Sequence, residues 1–218
     1  MTSVGIILSG CGVNDGTEIQ EAVSAMICLD KKNADISFYA PDIDQKSVVD
    51  HTKASEMHEK RNVKTESARI SRGNIQDIKN ADPYKLDALI IPGGAGAIKN
   101  WSDIFENPSN PKVNPDFEKL LHKMHELKKP TGAICISPVL VTAALKEFKP
   151  EVTIGNDINT AKLLKSLGGI HKKCLVSEIH FDKKNLIVST PAYMLASGPY
   201  EVYQGVEKLV DKIIEICS

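Results

Sequence analysis

The sequence has almost no net charge, no long apolar run and no cysteine framework, and each absence removes a class of function. Lys and Arg total 27 against 28 Asp and Glu, a formal net charge of −1. No global field therefore draws the chain to nucleic acid or to an anionic membrane surface, and a small neutral partner fits better. No apolar stretch approaches the roughly 20 residues a bilayer span requires. Met1-Thr2-Ser3 runs straight into a strand-like segment without a basic leader, so the expected setting is the cytoplasm, or an organelle matrix after a leader is removed. Five cysteines, an odd number at irregular spacing, fit neither a disulfide framework nor a C-x-x-C metal or redox site. They imply a reducing compartment, where each cysteine is either core filler or a reactive thiol.

What is present is the composition of a globular α/β protein: 218 residues, 42% apolar and 25% charged. One domain spanning residues 1–218 is expected. Strand-like runs at Val4 to Leu8, Ile36 to Ala40, Leu86 to Ile91, Thr131 to Ile134, Val152 to Ile154 and Leu186 to Ser189 alternate with helical patterns. Ala88-Leu89-Ile90-Ile91 is apolar without alternation, as in a strand covered on both faces of a parallel sheet.

The first helix places Ile19, Ala22, Val23, Met26 and Ile27 on one stripe, predicted to face the sheet, with Thr17 as its cap and Gln20 closing a capping box. A second opens at Asn114-Pro115 with Asn as cap, and the last carries Val206, Leu209, Val210, Ile213, Ile214 and Cys217 on one face. Extended runs on either side of Asp182-Lys183-Lys184-Asn185 predict a C-terminal antiparallel hairpin. The polar stretch from Asp42 to Asp82 reads as an excursion from the sheet.

Cys135 follows the strand ending at Ile134 and precedes Ile136-Ser137-Pro138, where Ser137 is the expected cap and Pro138 the first helical residue. A sharp strand-to-helix turn at the carboxyl edge of an open sheet is where such folds bind ligands. The helix dipole and unpaired backbone N–H groups there are expected to favour thiolate over thiol. Against this stands the possibility of a buried structural cysteine. Pro92-Gly93-Gly94-Ala95-Gly96 follows another buried strand, and the N–H groups of Gly94 and Ile136 could form an oxyanion hole.

A strand ending in Pro92-Gly93-Gly94, paired with a later strand–Cys135–helix elbow, resembles the PfpI-like branch of the class I glutamine amidotransferase-like superfamily. Ile6 to Val13 with Asp15-Gly16, Arg61-Asn62-Val63, Ala68-Arg69-Ile70, Lys99-Asn100, Cys135-Ile136 with Pro138, and Thr190-Pro191-Ala192-Tyr193-Met194 are similar to the ElbB family. The resemblance implies a flavodoxin-like three-layer sandwich, a homodimer, and glyoxalase activity on small 2-oxoaldehydes without glutathione, metal or cofactor, with a family link to isoprenoid biosynthesis. It also implies a glutamate early in the first helix beside the nucleophile. Glu21 matches best and Glu18 is the reserve, although acids in a helix's first turn often serve only the dipole.

One departure from the wider pattern concerns histidine. Relatives place one directly after the nucleophile or on a later strand, positions occupied here by Ile136 and, approximately, Gly155-Asn156-Asp157. That argues against a Cys–His–acid triad and amide hydrolysis. Cys11 is a candidate second thiol or a small residue of a tight loop. Tyr193 could wall the site or belong to the core. His51 and His58 read as surface residues, and no histidine spacing suggests a metal. Arg61, Arg69 and Arg72 could reach a substrate or subunit boundary, or form a solvated face. Two competing readings are a thiol sensor without turnover and an interaction subunit.

Overall fold

The computed structural model describes residues 1–218. In chain order the elements are β1 (Ser3–Ile7), α1 (Ile19–Lys31), β2 (Asp35–Ala40), β3 (Val49–Asp50), β4 (Ser55–Glu56), α2 (Val63–Ser67), β5 (Gln76–Asp77), β6 (Ala88–Ile91), α3 (Ala95–Trp101), α4 (Pro115–Glu126), β7 (Thr131–Ile134), α5 (Ser137–Ala144), β8 (Glu151–Val152), α6 (Ile158–Ser166), β9 (Ile170–His171), β10 (His180–Asp182), β11 (Ile187–Thr190) and α7 (Pro199–Cys217).

Seven strands form the central sheet in the order β10-β11-β7-β6-β1-β2-β5. All neighbours are parallel except β10 with β11, the C-terminal hairpin. From β1 the chain builds outward through β2 and β5, then crosses back to β6 and β7. The loops after β1 and β6 therefore diverge at a switch point, where open α/β sheets form their ligand crevice.

Side chains alternate across the pleat and divide the core in two. On one face Ile7, Leu89, Ile91 and Ala133 meet Ile98 and Trp101 of α3, Phe117, Leu121 and Met124 of α4, and α5. On the other, Val4, Ile6, Ala88, Ile90 and Val188 meet Ala22, Ala25 and Leu29 of α1 and Val206, Leu209, Val210 and Ile213 of α7. The result is the three-layer sandwich.

The structure corrects several expectations. In α1 the buried face is Glu21, Ala22, Ser24, Ala25, Cys28 and Leu29, while Ile19, Val23 and Ile27 are 42%, 38% and 52% exposed. The small side chains face inward because α1 packs against α7 as well as the sheet, and close helix approach favours small residues. Thr17 does not cap α1, since its hydroxyl accepts from the Ser9 amide (2.7 Å); Glu18 is the cap, accepting from the Glu21 amide at 2.7 Å. Gln20 instead receives the Tyr193 hydroxyl. Asn114 caps α4 as expected, bonded to the amides of Asp116 and Phe117.

Val152 to Ile154 do not join the central sheet. β10 occupies the edge beside β11, so β8 docks through side chains, with the Glu151 amide on Asp182 Oδ2 and the Thr153 amide on Ser189 Oγ, and pairs only with β9. The excursion holds the β3–β4 hairpin and α2, and returns to the sheet as edge strand β5. Ser137 is the first residue of α5 and not its cap. Its hydroxyl accepts from the Ile134 amide (2.8 Å) and donates to the Ile91 carbonyl (2.7 Å), tying the ends of β6 and β7 together.

Candidate active site

At Cys135 the chain turns out of β7 with φ of +62°, a left-handed conformation that non-glycine residues rarely adopt and that clusters at functional sites. Its amide still donates to the Thr190 carbonyl (3.0 Å), which holds the turn to β11. Three groups meet the sulfur: the amides of Gly94 and Ile136, and the carboxyl of Glu21.

The glycines explain how these pieces come so close. A Cβ on Gly93 would lie 2.6 Å from Cys135 Cβ and 2.9 Å from Glu21 Oε2. Gly94, at φ +105°, precedes α3, and its Cβ would fall 2.5 Å from the Gly16 carbonyl oxygen. The glycine loop thus lies directly against the turn that leads into α1, and Gly94 has the positive φ expected of a glycine at this turn.

Glu21 is fully buried. Its Oε2 accepts from the Gly93 amide at 2.8 Å and its Oε1 from the Tyr193 amide at 3.4 Å. Burial first, then the neighbouring Glu18 carboxylate, pushes the Glu21 carboxyl up to about 8, against the lowering effect of the Gly93, Cys135 and Tyr193 contacts. It is therefore mainly a neutral acid at pH 7. Glu18, committed to the cap through the Glu21 amide, acts on the Glu21 carboxyl through its charge, and burial raises its own carboxyl. The structure thus brings the carboxyl of Glu21, not that of Glu18, to Cys135.

The expectation of an exposed thiolate is corrected. Cys135 is 7% exposed, and burial, followed by the Glu21 carboxyl, holds its thiol well above the ordinary range; the Gly94 and Ile136 amides oppose this only in part. Desolvation outweighs the helix dipole because the sulfur sits inside the apolar layer shared with Ile134 and Ala192. The site stores a sheltered thiol beside a sheltered acid.

Tyr193 lies in the 3-10 turn Ala192–Met194, with its amide on Glu21 and its hydroxyl on Gln20, so it closes one side of the site. Cys11 lies in the β1–α1 loop near Glu66, Arg69 and Asp15, and burial and then Glu66 raise its thiol. It makes no hydrogen bond to Cys135, in keeping with a loop residue. Arg61 and Arg69 both reach the buried Glu66, at 3.8 and 2.9 Å, while Arg69 and Arg72 stay exposed, so this is a solvated face whose charges are partly paired.

Asp15 and Lys99-Asn100 stand out in the sequence only through the ElbB resemblance; the structure shows them as a clasp on the β1–α1 loop. Asn100 donates to the carbonyls of Ser9 (2.8 Å) and Asp15 (2.9 Å), Lys99 to that of Asn14 (3.0 Å), and Asp15 accepts from the Val49 amide (2.8 Å). His51, expected as a plain surface residue, also belongs to it: one ring nitrogen receives the Asn14 amide (3.2 Å) and the other meets the Val49 carbonyl (3.0 Å). No periodicity marks such polar tethers; the one local signal was the unusual density of Gly, Asp and Asn between residues 10 and 16. The Gly155-Asn156-Asp157 loop supplies no histidine, and Asp157 is used as the cap of α6.

No family model matches the sequence. Among curated proteins, the chain is 41% identical over 223 residues to the human mitochondrial glutamine amidotransferase-like class 1 domain-containing protein 3, covering 98% of this chain and 82% of that protein. It is 40% identical to the rat mitochondrial ES1 protein homolog, covering 98% and 83%. The chain belongs to the ES1 (ElbB-like) family of class I glutamine amidotransferase-like proteins. Across the whole of both chains, a crystal structure of an Ehrlichia chaffeensis isoprenoid biosynthesis protein with an amidotransferase-like domain superposes with a TM-score of 0.95 at 39% identity. Glyoxalase III from Candida albicans, at 13% identity, shares the fold with a TM-score of 0.62 over 99% of this chain and 97% of that one.

Proposed function

We propose that this ES1-family protein is a metal-free, glutathione-independent enzyme that converts small 2-oxoaldehydes to 2-hydroxy acids, glyoxal to glycolate and methylglyoxal to lactate. The reading is carried by one observation: a buried carboxyl, Glu21, packed against Gly93 beside the thiol of Cys135 on a strained turn, with the Gly94 and Ile136 amides next to the same thiol. The sulfur adds to the aldehyde carbon, forming a C–S bond. The thiol proton reaches the carbonyl oxygen through Glu21, which takes it on one carboxyl oxygen while releasing its own from the other.

The Gly94 and Ile136 amides are the donors nearest that oxygen. The ionised fraction of Glu21 then takes the proton from the hemithioacetal carbon and returns it to the adjacent carbon, while the hydroxyl proton passes from the first oxygen to the second, leaving a 2-hydroxyacyl thioester. Water releases the acid and restores the thiol. With a single carboxyl and no histidine, the site suits proton transfer between carbons better than protonation of an amide leaving group.

The test is incubation of the purified chain with glyoxal in the absence of glutathione, with glycolate followed by NMR. Loss of multiple turnover is expected in Cys135→Ser and Glu21→Gln; turnover retained in Cys135→Ser ends the assignment. A second reading, a thiol sensor without turnover, has the shelter and raised pKa of the thiol against it, since sensor cysteines are accessible and ionised. Stoichiometric adduct on Cys135 with no product would establish it.

A homodimer is part of the same proposal, supported by the exposed apolar row Ile19, Val23 and Ile27 on α1. Light scattering should give twice the 23.8 kDa chain mass, and a monomer would refute it. A reducing cytoplasm or organelle matrix suits five free cysteines, and the mitochondrial names of the mammalian relatives favour the matrix. The name of the Ehrlichia protein supports a link to isoprenoid biosynthesis.

A further inference from the structure

β8, α6 and β9 stand outside the central sheet, and a cavity of about 420 Å³ opens between α6 and the β9 segment. Neither Cys135 nor Glu21 lines it, so it is independent of the function proposed above. Besides Asn156, Gly169 and His171, its lining combines apolar residues and lysines. Ile158, Ala161 and Ile170 provide apolar surface; Ile158 is 69% exposed and Ile170 43%. Lys162, Lys165 and Lys173 provide charge, and no acidic side chain lines the cavity.

None of these three lysines takes part in an ion pair, whereas the adjacent Lys172 is paired with Glu151 at 3.3 Å. The nearest acid in sequence, Asp157, is occupied in capping α6 through the Thr160 amide (2.7 Å). On α6, Ile158, Ala161, Lys162 and Lys165 recur at i, i+3, i+4 and i+7, so one helix face brings the apolar and cationic groups together. Ile170 and Lys173 bring the same pair of properties from β9 and the residues after it.

Three unpaired cations converging on one concavity repel each other until an anion arrives, and their charge suits a dianion better than a single carboxylate. Lysines bind phosphate as point charges without demanding a planar ligand. The volume is that of a small-molecule pocket. The apolar wall requires part of the ligand to be uncharged.

We propose that this cavity binds a small organic phosphate, with the phosphate held by Lys162, Lys165 and Lys173 and a short apolar part lying on Ile158, Ala161 and Ile170.

The test is calorimetric titration of the full chain at low salt with n-butyl phosphate, inorganic phosphate and n-butyrate. Saturable one-to-one binding is expected, tightest for n-butyl phosphate. Binding should weaken about tenfold in Lys162→Ala/Lys173→Ala and stay unchanged in the distant control Lys79→Ala/Lys119→Ala. Both pairs are exposed, and thermal melts check that each variant is folded; Lys162→Gln alone serves if the double variant is not. Absence of saturable binding overturns the proposal, as does equal affinity of the double variant and the wild type. Lysine-dependent sedimentation with phosphatidylglycerol vesicles, without n-butyl phosphate binding, would mark a membrane surface and also overturn it.

Discussion

Replacing Glu21 with Gln removes an ionisable group from the interior while preserving its shape, so it isolates the cost of keeping a carboxyl there. In the folded protein this carboxyl is pushed up to about 8 from an ordinary value of 4.5. The folded state therefore holds the proton more tightly than the unfolded chain. The stability associated with the neutral form is present in full below pH 4.5 and is lost as pH rises through 8. Holding the carboxyl at about 8 instead of 4.5 corresponds to about 5 kcal/mol at most, of which about 2 kcal/mol disappears between pH 6 and pH 8.

Glu21→Gln lacks this dependence. Its amide loses part of the hydrogen bonding at Gly93 and Tyr193, which is a pH-independent offset. Urea unfolding under reducing conditions, at intervals from pH 5.5 to 8.5, should show the wild type losing about 2 kcal/mol relative to the variant over the upper part of that range. Parallel curves would mean that Glu21 ionises normally, and the account of a sheltered acid beside the nucleophile would fail.

Three further outcomes follow from the same geometry. Alkylation of Cys135 should begin at lower pH in Glu21→Gln than in wild type, because the carboxylate that opposes the thiolate is gone; an unshifted pH profile by mass spectrometry would contradict the pairing. Gly93→Ala should cost about 1–3 kcal/mol in urea melts and abolish turnover, since its Cβ would press on Cys135 and Glu21, whereas Gly198→Ala, with nothing within 4 Å, should be nearly silent. Asn100→Ala should destabilise the protein by about 2 kcal/mol by leaving the Ser9 and Asp15 carbonyls without their donor, with hydrogen exchange of the β1–α1 loop rising more than that of β7.

Strong local signals were legible and weak or shared ones were not. The apolar runs of β1, β6 and β7, the Asn114-Pro115 start of α4 and the stripe of α7 are dictated by short-range chemistry, and the structure has each of them. The capping of α1 was misread because Thr17 and Glu18 are both competent, and only the nearby Ser9 amide decides which is free. The buried stripe of α1 was misread because two apolar stripes wind around one helix, and contact with α7 selects the one of smaller side chains. β8 was misassigned because its strand character is real, while its place beside β11 is already taken by β10.

From the sequence alone came the alternation of strands and helices, the Gly-rich turn and the cysteine elbow, because these depend on backbone preferences and periodicity over a few residues. Tertiary structure decided the state of the site. The pKa values of Glu21 and Cys135 depend on water excluded by residues scattered from Gly93 to Tyr193, and no local pattern encodes how completely distant segments close over a sulfur atom.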